Sequence, residues 1–101
     1  MIRKVKLSKR AAKKLERLLE YLEIKWSIKV KNDFIKKLDK SLNLIQENPD
    51  YFQKSIQIKG LHRCVITKQT TIYYRYDDKF IYVVTLFDNR QDPKKLDNEV
   101  K

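Results

Sequence analysis

The sequence predicts an α+β domain: a short N-terminal strand, a helical hairpin, and then a four-stranded antiparallel meander. Residues 9–24 and 27–47 carry apolar side chains at helical spacing. The first seven residues and most of the region after Pro49 instead alternate with a period of two, which is typical of strands. Short strands joined by tight turns favour antiparallel pairing, and the helical pair is expected on one face of the sheet. The length suits a single domain spanning 1–101.

The N-terminal segment predicts a strand that runs directly into the first helix. In Met1–Leu7 the apolar side chains alternate mostly with arginine and lysine, which suits a strand with one exposed side. Ser8 can cap a helix because its hydroxyl accepts a hydrogen bond from a free backbone amide. The first helix is therefore predicted from about Lys9 to Ile24.

A second helix is predicted from near Ser27 to Glu47, with Ser27 as its N-cap. Its junction with the first helix contains no Gly or Pro, so one long bent helix is the alternative to a hairpin. Asn48-Pro49-Asp50 ends the helical region, because proline disfavours helical geometry in the residue before it. The two apolar stripes are expected in the core, and they comprise Ala11, Ala12, Leu15, Leu18, Leu19, Leu22, Trp26, Val30, Phe34, Leu38, Leu42 and Ile45.

Four strands are predicted after the helices: Ser55–Lys59, His62–Thr67, Thr71–Tyr76 and Phe80–Phe87. The last strand is predicted to be central, because both of its faces are apolar. Strict alternation places Phe80, Tyr82, Val84 and Leu86 on one face and Ile81, Val83, Thr85 and Phe87 on the other. One helical hairpin can cover only one of these faces, so some apolar surface is expected to remain open for a partner.

The charge balance predicts an anionic partner. The chain has 24 Lys and Arg against 13 Asp and Glu, a net charge of +11, and its 42% hydrophobic content excludes a disordered chain. A lysine-rich, well-solvated surface is the alternative explanation. One cysteine excludes an internal disulfide and a cysteine-based zinc site. With no long apolar segment and no signal-peptide core, we expect a cytoplasmic protein without a membrane partner, metal or cofactor.

No motif for a phosphate loop, a serine triad or paired metal-binding histidines is present. His62 is the single histidine and is expected at a surface or turn, whereas Cys64 is expected to be buried and inert. Tyrosines 73, 74, 76 and 82 could stack on bases or pack within the sheet. Arg63, Arg75 and Arg90 carry planar guanidinium groups suited to phosphate or carboxylate.

The layout as a whole resembles the RelE/ParE superfamily of bacterial type II toxins. The resemblance covers nearly the whole chain, from the lysine-rich first strand through the helical hairpin and the Asn-Pro break to the ending IYYRYDDKFIYVVTLFDNRQDPKKL. It implies a small toxin that is held inactive by an acidic antitoxin encoded beside it.

The superfamily resemblance implies two alternative activities. RelE-like members cut mRNA in the ribosomal A site, whereas ParE-like members inhibit DNA gyrase. Arg90 matches the arginine after the last strand in both groups, and Arg63 matches one common in ParE-like members. Thr70 or Thr71 stands where RelE-like nucleases place an arginine, and no Tyr or His follows Arg90. These departures favour the ParE-like, non-enzymatic activity, and a basic nucleic-acid-binding domain without toxicity is a third alternative.

The residues expected to carry the function follow from these alternatives. A nuclease would draw on Arg90, Arg63, Lys68 and His62 to stabilise charge and move protons. Binding to the target or to an amphipathic helix of the antitoxin is expected at Arg63, Tyr74, Arg75, Tyr82, Val84 and Arg90. The free chain is expected to be a monomer or a dimer.

Overall fold

The α+β class and the two helices are confirmed by a computed structural model that describes residues 2–99. Met1 of the predicted first strand lies outside the described residues. The elements, in chain order, are β1 (Lys4–Leu7), α1 (Lys9–Lys25), α2 (Ile28–Glu47), β2 (His62–Val65), β3 (Thr70–Tyr76), β4 (Phe80–Asp88) and α3 (Lys94–Glu99).

The sheet is mixed rather than purely antiparallel, so the predicted meander is wrong in this respect. The strand order is β1-β4-β3-β2, and β4 is central as predicted. β2, β3 and β4 pair antiparallel through short turns, whereas β1 pairs parallel to β4 with Lys4 opposite Phe80. Tight turns impose antiparallel pairing only on strands that they connect. β1 is separated from β4 by most of the chain, so the turn signals carried no information about its direction.

The predicted strand Ser55–Lys59 is also wrong, since this segment is irregular and only Lys54 forms an isolated bridge to His62. The Ser55 hydroxyl accepts a hydrogen bond from the Ile58 amide at 3.0 Å, which folds the segment into a turn. Gly60 then adopts φ 89°, a left-handed conformation that glycine takes without strain. The alternating isoleucines therefore reflect one inward side chain, Ile58, and one fully solvated side chain, Ile56.

Two serine caps build the helical hairpin as predicted. Ser8 accepts a hydrogen bond from the Ala11 amide at 2.9 Å, and Ser27 accepts one from the Val30 amide at 3.1 Å. Ser27 has an extended backbone, with φ −170° and ψ 166°. The chain therefore breaks between α1 and α2, and the alternative of one long bent helix is wrong.

A β-bulge at Val84 changes the faces of the central strand. Tyr73 pairs with Thr85 but Tyr74 pairs with Val83, so Val84 is an extra residue in β4. Ser8 donates its backbone amide to the Val83 carbonyl at 3.0 Å and its hydroxyl to the Val84 carbonyl at 2.6 Å. The predicted strict alternation is therefore wrong beyond Val84, because one inserted residue reverses the faces of all residues that follow.

Two apolar clusters lie on opposite faces of the sheet. The larger one, on the face covered by α1 and α2, includes Ile81, Val83 and Leu86 of β4. The smaller one, on the outer face, joins Leu61, Tyr73, Phe87 and Leu96, with Ile58 and Val84 packed against it. The 53–61 segment and α3 therefore cover part of the outer face that was expected to stay open. The C-terminal helix that supplies Leu96 was not predicted.

Candidate functional site

A groove between the helical hairpin and one end of the sheet forms a concave surface. Its volume is about 840 Å³. α1 and α2 form one wall, and the β2–β3 turn with the end of β4 forms the other. Five cationic side chains line it against two carboxylates, and these charged residues are Lys14, Arg17, Lys37, Lys68, Arg90, Asp33 and Asp88.

The helical wall consists of one face from each helix. The α1 residues in the groove are 14, 17, 18, 21 and 22, and those of α2 are 30, 33, 34 and 37. Both sets follow the i, i+3, i+4, i+7 spacing that places side chains along a single stripe. Their inner members pack in the core, and Phe34 is 6% exposed. The groove is therefore formed by the more exposed side chains of the same amphipathic helix faces that build the core.

Exposed apolar side chains line the mouth of the groove. Trp26 is 67% exposed, Tyr21 47% and Val30 37%. Trp26 and Val30 were predicted to lie in the core, and that prediction is wrong: α1 ends with Trp26 as its C-cap, the chain reverses at Trp26–Ser27, and both side chains are exposed there. Ile24 and Ile28 at the same reversal are also exposed. Such a concentration of large apolar side chains on a small protein is typical of a protein-binding surface.

Arg90 lies at the groove, where Asp88 holds it in a bidentate pair. Its Nη2 and Nε atoms donate to the two carboxylate oxygens at 2.7 and 3.0 Å. These hydrogen bonds lower the pKa of Asp88, and the same pair raises the pKa of Arg90. Arg90 therefore presents a fixed, charged guanidinium whose orientation depends on Asp88.

Lys68 lies on the same groove wall, in the β2–β3 turn. Asn89 joins this turn to the end of β4: its amide donates to the Gln69 carbonyl at 2.8 Å, and its side chain accepts from Thr71 at 2.9 Å. The sequence placed Lys68 and Arg90 among the candidates separately, and the structure brings them together.

His62 and Tyr74 lie in the core and not on the groove. His62 is 7% exposed, so its predicted place at a surface or turn is wrong; its ring stacks on Tyr74 with centroids 5.3 Å apart. Its Nδ1 lies 2.9 Å from the Phe52 carbonyl. Tyr74 is fully buried and donates its hydroxyl to the Pro49 carbonyl at 2.7 Å, and burial raises its pKa. Both residues fix the 49–52 segment against the sheet.

Cys64 is 1% exposed, as predicted, and burial raises the pKa of its thiol, which keeps it in the unreactive protonated form. The remaining candidates lie on the outer face of the sheet. Arg63 pairs with Tyr73 in register, and Arg75 pairs with Tyr82. Val84 packs against the smaller cluster. The structure thus divides the candidates among the groove, the core and the outer face.

Comparison with known proteins identifies the family. A family model described as the ParE toxin of type II toxin–antitoxin systems, parDE, matches residues 5–93. This chain belongs to that family. A search of curated protein sequences found no match.

Two solved structures share the fold of this ParE-family chain. One is the chromosomal ParDE TA system from P. aeruginosa, with TM-score 0.71 and 10% identity over 86% of this chain and 96% of that chain. The other is the solution structure of a conserved hypothetical protein from Helicobacter pylori, with TM-score 0.58 and 23% identity over 90% and 98% of the two chains. The predicted membership of the RelE/ParE superfamily is confirmed.

Within residues 2–99 of this ParE-family chain, no group of three His, Cys, Asp or Glu side chains is arranged to hold a metal ion. None of the described helices has the length and apolar character needed to cross a membrane.

Sequence reasoning missed most of the groove, including Arg17, Tyr21 and Lys37. The available signal was the run of charged and aromatic residues at helical spacing beside the apolar stripe, at the end of the hairpin where the sheet provides no partner.

Proposed function

We propose that this ParE-family chain arrests growth by binding and inhibiting DNA gyrase, without chemistry of its own. The observation that carries this proposal is the arrangement of the four residues that could support RNA cleavage. Cleavage would require a base, an acid and cations within hydrogen-bond reach of one phosphate. Lys68 and Arg90 line the groove, whereas His62 is in the core and Arg63 is on the outer face.

The separation between these groups is large compared with a catalytic contact. His62 is opposite Tyr74, and Asp88 next to the groove arginine is opposite Thr70. Tyr74 is four positions along the extended strand from Thr70, which is about 13 Å at the rise of a strand. The imidazole is also engaged with the Phe52 carbonyl. This geometry favours inhibition by surface binding over general acid–base catalysis.

We also propose that the groove binds the neutralising antitoxin. Its five cations and two carboxylates favour an acidic segment, and its exposed Trp26, Tyr21 and Val30 favour one with an apolar face. An acidic amphipathic helix meets both requirements. Of the residues predicted from sequence to bind the antitoxin, Arg90 is the one that lines this groove. The groove therefore replaces the outer strands as the proposed docking surface.

The proposal is tested by inducible expression in bacteria with two readouts, gyrase-dependent DNA damage and mRNA cuts at the ribosomal A site. We expect growth arrest with DNA damage and without A-site cuts. Co-expression of a short acidic protein encoded beside this chain should restore growth. A-site cuts would instead assign the RelE-like activity, and normal growth at verified soluble expression would contradict toxicity and favour a non-toxic binding domain.

A single substitution tests whether the groove is the working site. Arg90→Ala should abolish arrest while leaving the fold intact, because Arg90 is exposed and contacts the rest of the chain mainly through Asp88. Arg10→Ala is the matched control, since Arg10 is an exposed arginine of α1 that does not line the groove. Equal loss of arrest in both variants would show that total charge, rather than the groove, determines toxicity.

A further inference from the structure

The outer face of the sheet carries a second basic surface at the end opposite the groove. Lys6 of β1, Tyr82 of β4 and Arg75 of β3 form one row across three adjacent strands. Lys4 is opposite Phe80 in the next row. We call this set, Lys4, Lys6, Arg75, Phe80 and Tyr82, the outer basic surface. Its three cationic residues are exposed and its two aromatic residues are half-buried.

Each aromatic ring of the outer basic surface holds a cation above its face. The Lys6 ammonium lies 3.9 Å from the centroid of Phe80, and the Arg75 guanidinium lies 5.2 Å from that of Tyr82. Such contacts attract a cation to the negative face of the ring. They also restrict two long side chains that would otherwise lose rotamer entropy on binding. The positive charges are therefore held in place before any ligand arrives.

Of the two acidic residues in the β3–β4 turn, Asp77 and Asp78, Asp77 is already occupied by local hydrogen bonds. Its carboxylate accepts from the amides of Lys79 and Phe80, both at 2.8 Å, and from the Tyr82 hydroxyl at 3.1 Å. These hydrogen bonds lower the pKa of Asp77, and the one from the Lys79 amide has the largest effect. Asp77 thus shapes the β3–β4 turn and fixes Tyr82, while Lys4, Lys6 and Arg75 remain exposed to an anion.

We propose that the outer basic surface binds the phosphodiester backbone of nucleic acid. Strands lie about 4.8 Å apart, so the backbones of Lys6 and Arg75 are separated by roughly 10 Å across the row. Their charged termini, held over Phe80 and Tyr82, can each contact a phosphate of one backbone. The rings are covered by cations, so bases cannot stack on them as they do on open aromatic platforms. Binding is therefore electrostatic and independent of base sequence.

This inference goes beyond gyrase inhibition and does not depend on it. A nucleic-acid contact on the outer face would leave the groove free for the antitoxin. It would also concentrate the chain on DNA, where a gyrase inhibitor meets its target.

The test measures binding of purified chain to a fluorescent 20-base-pair DNA duplex, about two helical turns long, and to single-stranded RNA, by anisotropy across a salt series. Three phosphate contacts predict a slope of log K against log salt near −3. The double variant Lys6→Ala/Arg75→Ala should reduce the steepness of this slope by about 2, to near −1, and weaken binding by about tenfold or more at 0.1 M salt. The control Lys36→Ala/Lys40→Ala removes two exposed cations from α2, outside this surface.

The DNA probe, the RNA probe and the control variant together distinguish binding at the outer basic surface from binding by total charge. Selective loss in the Lys6/Arg75 double variant supports the proposal, and the tighter of the two probes identifies whether DNA or RNA is the source of the phosphates. Equal losses in both double variants would overturn it, since binding would then reflect the total charge of +11. Growth arrest and antitoxin capture are measured on the same variants. Their retention alongside lost nucleic-acid binding separates this surface from the groove.

Discussion

Trp26→Ala separates the groove from the core. Trp26 is 67% exposed, so about one third of its surface is buried by the fold. A tryptophan presents at most about 250 Å², so the substitution removes roughly 80 Å² of buried area, or at most about 2 kcal/mol of folding free energy at 25 cal/mol per Å². A truncation in the core would cost about 3–5 kcal/mol.

The same substitution should weaken antitoxin binding by at least as much free energy as it costs the fold. The exposed part of Trp26 is available to a partner, and a central aromatic anchor contributes about 2 kcal/mol or more, which is a loss of about 30-fold in affinity. Chemical denaturation gives the folding term, and titration calorimetry with the acidic protein encoded beside this chain gives the binding term.

Tyr51→Ala is the matched control for Trp26→Ala. Tyr51 is another exposed aromatic residue, 72% exposed, in the 49–52 segment outside the groove. It should leave the dissociation constant within about twofold of wild type, since surface substitutions away from an interface change little. If Trp26→Ala bound the antitoxin as tightly as Tyr51→Ala does, the reasoning that assigns the groove to the antitoxin would be wrong.

Three further predictions concern the supports of the groove and sheet. Ser8→Ala should destabilise the fold by about 1–2 kcal/mol, and by more than Ser27→Ala does, because the Ser8 hydroxyl also donates to the carbonyl of the bulge residue Val84. Urea denaturation of the two variants checks this, and equal losses of stability would contradict it. Leu96→Ala should speed amide exchange in α3 while costing less than a full core truncation, since Leu96 is 1% exposed but its helix has only six residues and can detach locally; unchanged exchange would show that Leu96 does not anchor α3. The pKa of Asp88 in the folded chain lies below its ordinary value, so the pair with Arg90 stabilises the fold at pH values above that ordinary value, and this stabilisation is lost as the pH falls through the folded pKa. Asp88→Asn should therefore cost up to about 1 kcal/mol of folding free energy at neutral pH and nothing in strong acid. A cost that does not change with pH would refute the stabilising role of the pair.

The helices could be predicted from the sequence because their determinants are local. Ser8 and Ser27 cap the two helices. Apolar spacing placed Phe34, Leu38 and Ile45 in the core, although Ala12, Trp26 and Val30 of the same predicted stripes are exposed. The end of the helical region at Asn48-Pro49 was equally local. Cys64 could be placed in the core by alternation along a short strand that pairs regularly.

The errors arose where long-range pairing decides the structure. A single inserted residue at Val84 has no local signature, yet it reverses the faces of Leu86 and Phe87. The parallel partner of β1 lies more than seventy residues away and is selected by the completed sheet.

The missed helix α3 did have a local signal, since Asp92 accepts from the Lys94 amide and Pro93 suits the first turn of a helix.

The groove could be predicted only in part. Arg90 was found because it follows the last strand, and Lys68 because it occupies a turn. Trp26 and Val30 follow the core stripe in sequence, but they are exposed and do not pack against the core cluster. Which apolar residues of a helical stripe remain uncovered depends on the lengths of the strands opposite, and local sequence patterns do not determine those lengths.

Inhibition of gyrase is tested most directly by supercoiling of relaxed plasmid with purified gyrase and a titration of the purified chain. The proposal predicts loss of supercoiling or accumulation of cleaved DNA as the chain is added, with wild-type activity for Arg10→Ala, none for Arg90→Ala, and full protection by the antitoxin. Unchanged supercoiling at chain concentrations that arrest growth on expression would contradict gyrase as the target.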